Sequence, residues 1–248
     1  MIQKLGLVLV LIAALLPCER GAKTAEELII SMHNRYEGKW YPTLSFEQQT
    51  IRYDDNGEVL KDDTWYVAME LPNKLNIKFD DWNSGNGLMI RNDSLYAFQE
   101  GDITNTQPML HPLLVLGFSV YCQEPEKTIS DLNQLGIDLT KIHKRMYEGK
   151  KVYVVGADEG DDTTTQFWIE KERRLFVRMI QNYGNDQIQD IRFNNYQPLG
   201  GGWVAPEVEY YTNGVLKGKE VYNNIRTPEL GVDVFNPEVF AQTRWKPE

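Results

Sequence analysis

Cysteine is nearly absent from this chain of 248 residues, which carries only Cys18 and Cys122. Two cysteines make no disulfide framework, even in an oxidising compartment. Histidine is as scarce, with His33, His111 and His143. None has a His or Cys partner two to four residues away, so no zinc-ligand spacing exists. His33 and Glu37 stand one helical turn apart, but a pair is too few ligands for a metal site. The histidines therefore read as ordinary surface or edge residues, and Cys122 as a buried free thiol. There is no G-x-S-x-G nucleophile elbow. The acidic run Asp158 to Asp162 lacks the alternation and later Glu of a calcium loop. Gly200-Gly201-Gly202 precedes Trp203 and a strand pattern, so it offers no helix N-terminus to a phosphate. Pairs such as Asp80-Asp81 are ordinary in an acidic chain. The reading is of a protein that is not an enzyme and holds no cofactor or metal.

Positive charge is in deficit. Lys and Arg number 26 against 36 Asp and Glu, a formal net charge of −10. Such a chain repels phosphate backbones and anionic membrane surfaces, which excludes nucleic acid as a broad partner. Long hydrophobic runs are missing as well. Leu110 to Val120 is the best candidate after the N-terminus and falls well short of the roughly 20 residues a membrane helix needs.

What is present begins at the N-terminus. Met1 to Ala22 has a basic head at Lys4, an apolar run from Leu5 to Leu16 and a polar exit at Glu19 and Arg20. That is the pattern of an export signal. It predicts a periplasmic protein whose mature part, residues 23–248 or roughly 225 residues, forms a single domain. Cys18, after Leu15-Leu16-Pro17, offers the alternative of lipidation and anchoring to the outer membrane.

The mature chain alternates like a β protein. A helix is predicted over Ala25 to Tyr36, with Thr24 and Glu27 as a capping box and Gly38 as its end. Leu44, Phe46 and Gln48 then share one strand face, and Asp55-Asn56-Gly57 turns the chain. Trp65, Val67, Met69 and Leu71 alternate, as do Leu75, Ile77 and Phe79 after the Pro72-Asn73 turn. Leu88 and Ile90, then Leu95, Tyr96 and Phe98, continue the meander. A helix is predicted from Pro112 and a second over Thr128 to Leu135. Strands return from Lys141 to Ile225, and a last helical turn is expected near Asn236 to Phe240. The total is about ten or eleven antiparallel strands, and a sheet that large curls or closes.

Trp65, Met69, Leu75, Ile77, Phe79, Leu88, Ile90 and Phe98 form a candidate inward face, with the Leu113 to Phe118 helix as its cover. One reading is a filled core. The other is a lidded cavity for acyl chains, which needs no catalytic group because burial contributes about 0.8 kcal/mol per CH₂.

The order of motifs resembles the LolA/LolB-type lipoprotein carrier family. Leu44-Ser45-Phe46-Glu47-Gln48 resembles its early F-x-Q strand, and Glu70-Leu71-Pro72-Asn73-Lys74-Leu75 its strand–Pro–strand element. Asn92-Asp93-Ser94-Leu95-Tyr96 resembles its turn into a tyrosine strand. Phe167-Trp168-Ile169-Glu170 with Leu175-Phe176-Val177-Arg178 resembles its late hairpin. The likeness covers most of Ala25 to Ile191, and the tail from Gln197 departs from it. It implies an open antiparallel half-barrel, mainly β with an α lid. Its cavity would hold lipid or lipoprotein acyl chains and would be lined by Phe46, Trp65, Met69, Leu75, Ile77, Phe79, Leu88, Ile90, Phe98, Leu113, Leu114, Phe118, Phe167 and Ile169. A monomer that meets inner- or outer-membrane envelope partners is expected. The alternative function is an envelope structural or interaction protein of the same fold, with a filled core and no ligand.

Overall fold

The structure is a computed structural model and describes residues 21–245. Residues 1–20, which hold most of the export signal expected over Met1 to Ala22 and Cys18 with it, lie outside the described residues. The fold begins with α1 (Ala25–Tyr36), as predicted. Thr24 Oγ1 accepts from the Glu27 amide at 3.1 Å, and Leu28, Ile29 and Met32 form its buried stripe.

A first meander follows: β1 (Thr43–Tyr53), β2 (Val59–Glu70), β3 (Lys74–Phe79), β4 (Gly87–Arg91), β5 (Ser94–Gln99) and β6 (Asp102–Pro108). Helices α2 (Pro112–Gly117) and α3 (Pro125–Gln134) come next, joined through a 3-10 turn at Ser119–Tyr121. The second meander is β7 (Ile142–Tyr147), β8 (Lys150–Val155), β9 (Gln166–Glu170), β10 (Leu175–Asn182) and β11 (Ile188–Asn194). A small separate hairpin, β12 (Gln197–Leu199) and β13 (Gly202–Val204), precedes β14 (Glu207–Thr212) and β15 (Val215–Arg226).

Thirteen of these strands form one sheet in the order β6-β5-β4-β3-β2-β1-β15-β14-β11-β10-β9-β8-β7, and every pairing is antiparallel. The sheet is larger than the ten or eleven strands expected. The polar strand β6 (DITNTQP) carries no apolar alternation to announce it. First and last strands meet at the centre, with Thr50 opposite Glu220. The edges β6 and β7 do not pair, so the sheet stays open. Both edges are blunted, one by polar residues and Pro108, the other by Lys144 and Arg145. The chain between those edges carries α2 and α3 over the inner face, so the lid is the connection that spans the opening.

Residues 230–245 cover the outer face of the first meander. The Asn76 amide donates to the Val234 carbonyl at 2.6 Å, Lys78 Nζ to that of Thr243 at 2.9 Å, and Arg91 to that of Phe235 at 3.0 Å. Phe240 stacks on Phe98 at 3.8 Å. Gly87 permits this closeness, since a Cβ there would lie 2.0 Å from the Ile77 carbonyl oxygen and 2.7 Å from Phe240. Lys78 is fully buried beneath Phe240 and Trp245, and burial lowers its pKa to about 8.

Candidate functional site: an apolar cavity beneath the helical lid

The inner face divides into two halves. Beneath α1, α3 and the 3-10 turn it is filled. Phe167 and Ile169 on β9, Tyr153 and Val155 on β8, and Phe176 on β10 are fully buried there in one core with Leu28, Ile29 and Met32. Four tyrosine hydroxyl contacts tie helices, loops and strands together in this half. Tyr36 donates to the Arg173 carbonyl at 2.6 Å, Tyr41 to that of Trp203 at 3.1 Å and Tyr196 to that of Phe176 at 2.6 Å, while Tyr121 accepts from the Phe176 amide at 2.9 Å.

Beneath α2 the face encloses a cavity of about 320 Å³, within the size range of small-molecule sites. Phe46 of β1, Trp65, Val67 and Met69 of β2, Leu75 and Ile77 of β3, Leu88 and Ile90 of β4 and Leu95 of β5 form its apolar wall. Met109, His111, Leu113, Leu114 and Phe118 form the roof. Helix α2 holds that roof in place, starting at Pro112 with His111 as its cap. Nδ1 of His111 accepts from the Leu114 amide at 3.3 Å.

Ten of the fourteen residues proposed from sequence thus line the cavity: Phe46, Trp65, Met69, Leu75, Ile77, Leu88, Ile90, Leu113, Leu114 and Phe118. Four lie elsewhere. Phe79 shares the core but sits beyond Trp65, its ring 4.7 Å away, outside the lining. Phe98 lies on the outer face against Phe240, because it stands three positions after inward Leu95 and strand faces alternate at every residue. Phe167 and Ile169 belong to the filled half. His111 is also not the surface residue the sequence suggested: it caps a lid helix, and burial lowers its pKa. His33 is buried too, its Nε2 3.8 Å from Glu37.

Sequence reasoning missed the polar side of the cavity. Gln48 on β1, Tyr210 on β14, and Glu220 and Tyr222 on β15 line it at the sheet centre. Tyr210 donates to Glu220 Oε1 at 3.0 Å and Tyr222 to Oε2 at 2.9 Å. Burial pushes the Glu220 carboxyl up to about 7, against both hydrogen bonds. Gln48 donates to Thr50 at 2.9 Å, and Phe46 stacks on Tyr222 at 4.0 Å. The alternation of β15, with Glu220 and Tyr222 on one face, is legible in sequence. That its face turns to the same cavity as β1 is not.

Among the described residues no group of three His, Cys, Asp or Glu is placed to hold a metal ion, and no helix is long and apolar enough to cross a membrane. Cys122 is free and half-buried, and burial pushes its thiol up to about 11. Alkylation by iodoacetamide at neutral pH is therefore expected to be about a hundredfold slower in the folded chain than after unfolding, followed as a mass shift.

No protein-family model matches the chain, and no curated protein matches it. Solved structures do. A LolA superfamily protein from Nitrosomonas europaea is similar with a TM-score of 0.54 at 11% identity, over 87% of this chain and 98% of that one. A domain described as an outer membrane lipoprotein-sorting protein, from Vibrio parahaemolyticus, gives 0.55 at 13% identity, over 89% and 99%. A DUF1329 family protein from Desulfovibrio piger gives 0.53 at 12% identity, over 85% and 95%. The open antiparallel sheet with its helical lid is therefore a LolA-like fold.

Proposed function

We propose that this chain is a non-enzymatic carrier that holds a lipid or lipoprotein acyl chain between sheet and lid, as one domain exported to the periplasm. The observation that carries the reading is the apolar cavity of about 320 Å³ beneath α2, in a fold whose other inner half is filled. A packed core would have closed that space, since interiors pack to crystal-like density. The lining is aliphatic and aromatic on three sides, which suits alkyl chains at about 0.8 kcal/mol per buried CH₂. The lipoprotein-sorting description of the Vibrio parahaemolyticus domain points the same way. Anchoring through a lipidated Cys18 is the membrane-bound form of the same proposal, and Cys18→Ser would then move the protein from the membrane to the soluble fraction.

The test is native mass spectrometry of the mature protein from its own envelope, beside Leu88→Trp. Leu88 is half-buried on the cavity wall, so the larger ring fills the space with little effect on the sheet. A co-purifying acyl lipid in the wild type, and its loss from the variant at unchanged thermal stability, is the expected result. A clean apo mass that takes up no added lipid would favour the envelope structural role.

A further inference from the structure

We propose that the cavity selects an amphiphile with a primary ammonium head, its chain along β2 to β5 and its nitrogen against Glu220. The proposal rests on the carrier reading of this cavity and adds the chemistry of the ligand's polar end.

Three observations carry it. First, among the described residues Glu220 is the only acid lining the cavity, and no lysine or arginine lines it. Second, each carboxyl oxygen already accepts one tyrosine hydroxyl, at 3.0 and 2.9 Å. A carboxylate accepts about four hydrogen bonds, so each oxygen keeps a free lone pair for an N–H donor. Third, the phenols have no donor left. Each has a single O–H, and both are spent on Glu220. A carboxylate or phosphate head placed here would meet an anion and two committed phenols. An ammonium would meet a fixed acceptor beside two aromatic rings, Tyr222 being itself stacked on Phe46 at 4.0 Å.

The surrounding charges do not offset this preference. Lys217 and Lys219 of β15 point to the other face, paired with Asp55 and with Glu207 and Glu209. Arg52 on β1 lies one inward position beyond Thr50 and is exposed. Burial favours the neutral ring of His111 on the lid. Tyr196 also lies near Tyr222. With its carboxyl pushed up to about 7, Glu220 ionises in the same range in which an alkylamine stays charged.

Calorimetric titration with dodecylamine, dodecanol and dodecanoate, below their micellar concentrations, tests the idea. At about pH 8 the amine is expected to bind about tenfold or more tighter than the carboxylate. Glu220→Gln should erase that preference, lowering the amine-to-carboxylate affinity ratio by about tenfold or more. In the wild type alone, the amine-to-alcohol affinity ratio should rise about tenfold from about pH 5.5 to about pH 8.5, as Glu220 loses its proton. A carboxylate that binds as tightly as the amine, a preference that survives Glu220→Gln, or a flat pH ratio overturns the head-group assignment and leaves the carrier reading standing. Failure of all three probes to bind overturns both.

Discussion

Replacing Trp40 with Ala is expected to lower the free energy of unfolding by about 3–5 kcal/mol. Trp40 is 7% exposed and lies between α1 and β1 in sequence. Its ring stacks on Tyr121 at 3.9 Å, meets Tyr36 edge-on at 4.9 Å and lies 5.2 Å from Tyr41. Its far side rests on the β13 backbone, where a Cβ on Gly202 would come within 2.6 Å of the indole. The cost falls toward the upper end because the space cannot close. Tyr36, Tyr41 and Tyr121 are each held by a hydroxyl contact to the backbone, with Arg173, Trp203 and Phe176. The residues around the deleted ring stay where they are, and the cavity term adds to the transfer term. Trp40→Phe keeps a stacking ring and should recover about half of the loss. Chemical denaturation of both variants at equal slope is the measurement. An alanine variant within about 1 kcal/mol of wild type would show that the lid is not anchored there.

Why Trp40 gave no signal in the sequence, while Phe46 did, is a matter of range. Phe46 stands in a strand whose alternation announces its face, and so do Trp65, Met69, Ile77 and Ile90. Trp40 has partners 81 residues away at Tyr121 and at the backbone of Gly202, and no period connects them. The same limit explains the misplaced residues. Phe98 differs: its odd offset from Leu95 already points it outward, and only the Phe240 that covers it there is beyond local spacing. Phe167 and Ile169 do point inward, yet which half of the face is filled depends on where α1 and α3 dock. The tail from Gln197 departed from the family pattern, but β14 and β15 lie at the sheet centre, and residues 230–245 close its outer face. Local spacing revealed helices, most strands and the apolar wall. The pairing of β1 with β15, which creates the polar wall, is a contact between chain ends.

That polar wall makes stability depend on pH with an unusual sign. Glu220 has a folded pKa pushed up from 4.5 to about 7 by burial. Between those values the unfolded chain has lost the proton that the folded chain keeps, so the folded state binds more protons and stability falls as pH rises. The contribution is fully present below about 4.5 and gone above about 7. Its size is at most about 3 kcal/mol, an upper bound because Glu220 is only partly buried. His111 acts in the opposite direction below the unfolded histidine value. Its burial favours the neutral ring, so it adds stability as pH rises toward the unfolded histidine value. Asp190 acts lower still. Burial alone would raise its pKa, but Arg178 at 2.7 and 2.9 Å and Arg192 at 2.7 Å outweigh burial and lower it. Its contribution is lost as pH falls through the carboxylate range. The wild-type profile is therefore a composite, and the difference from Glu220→Gln isolates one group. The two proteins should be close in stability near pH 4.5, and the variant should gain on wild type steadily up to about pH 7, then hold a constant advantage. Tyrosine hydroxyls both donate and accept, so Tyr210 and Tyr222 keep partners on the amide. Urea denaturation of both proteins across this range reads the difference directly. A difference independent of pH would mean that Glu220 is already ionised at pH 5, and that water reaches it as freely as it reaches a surface carboxylate.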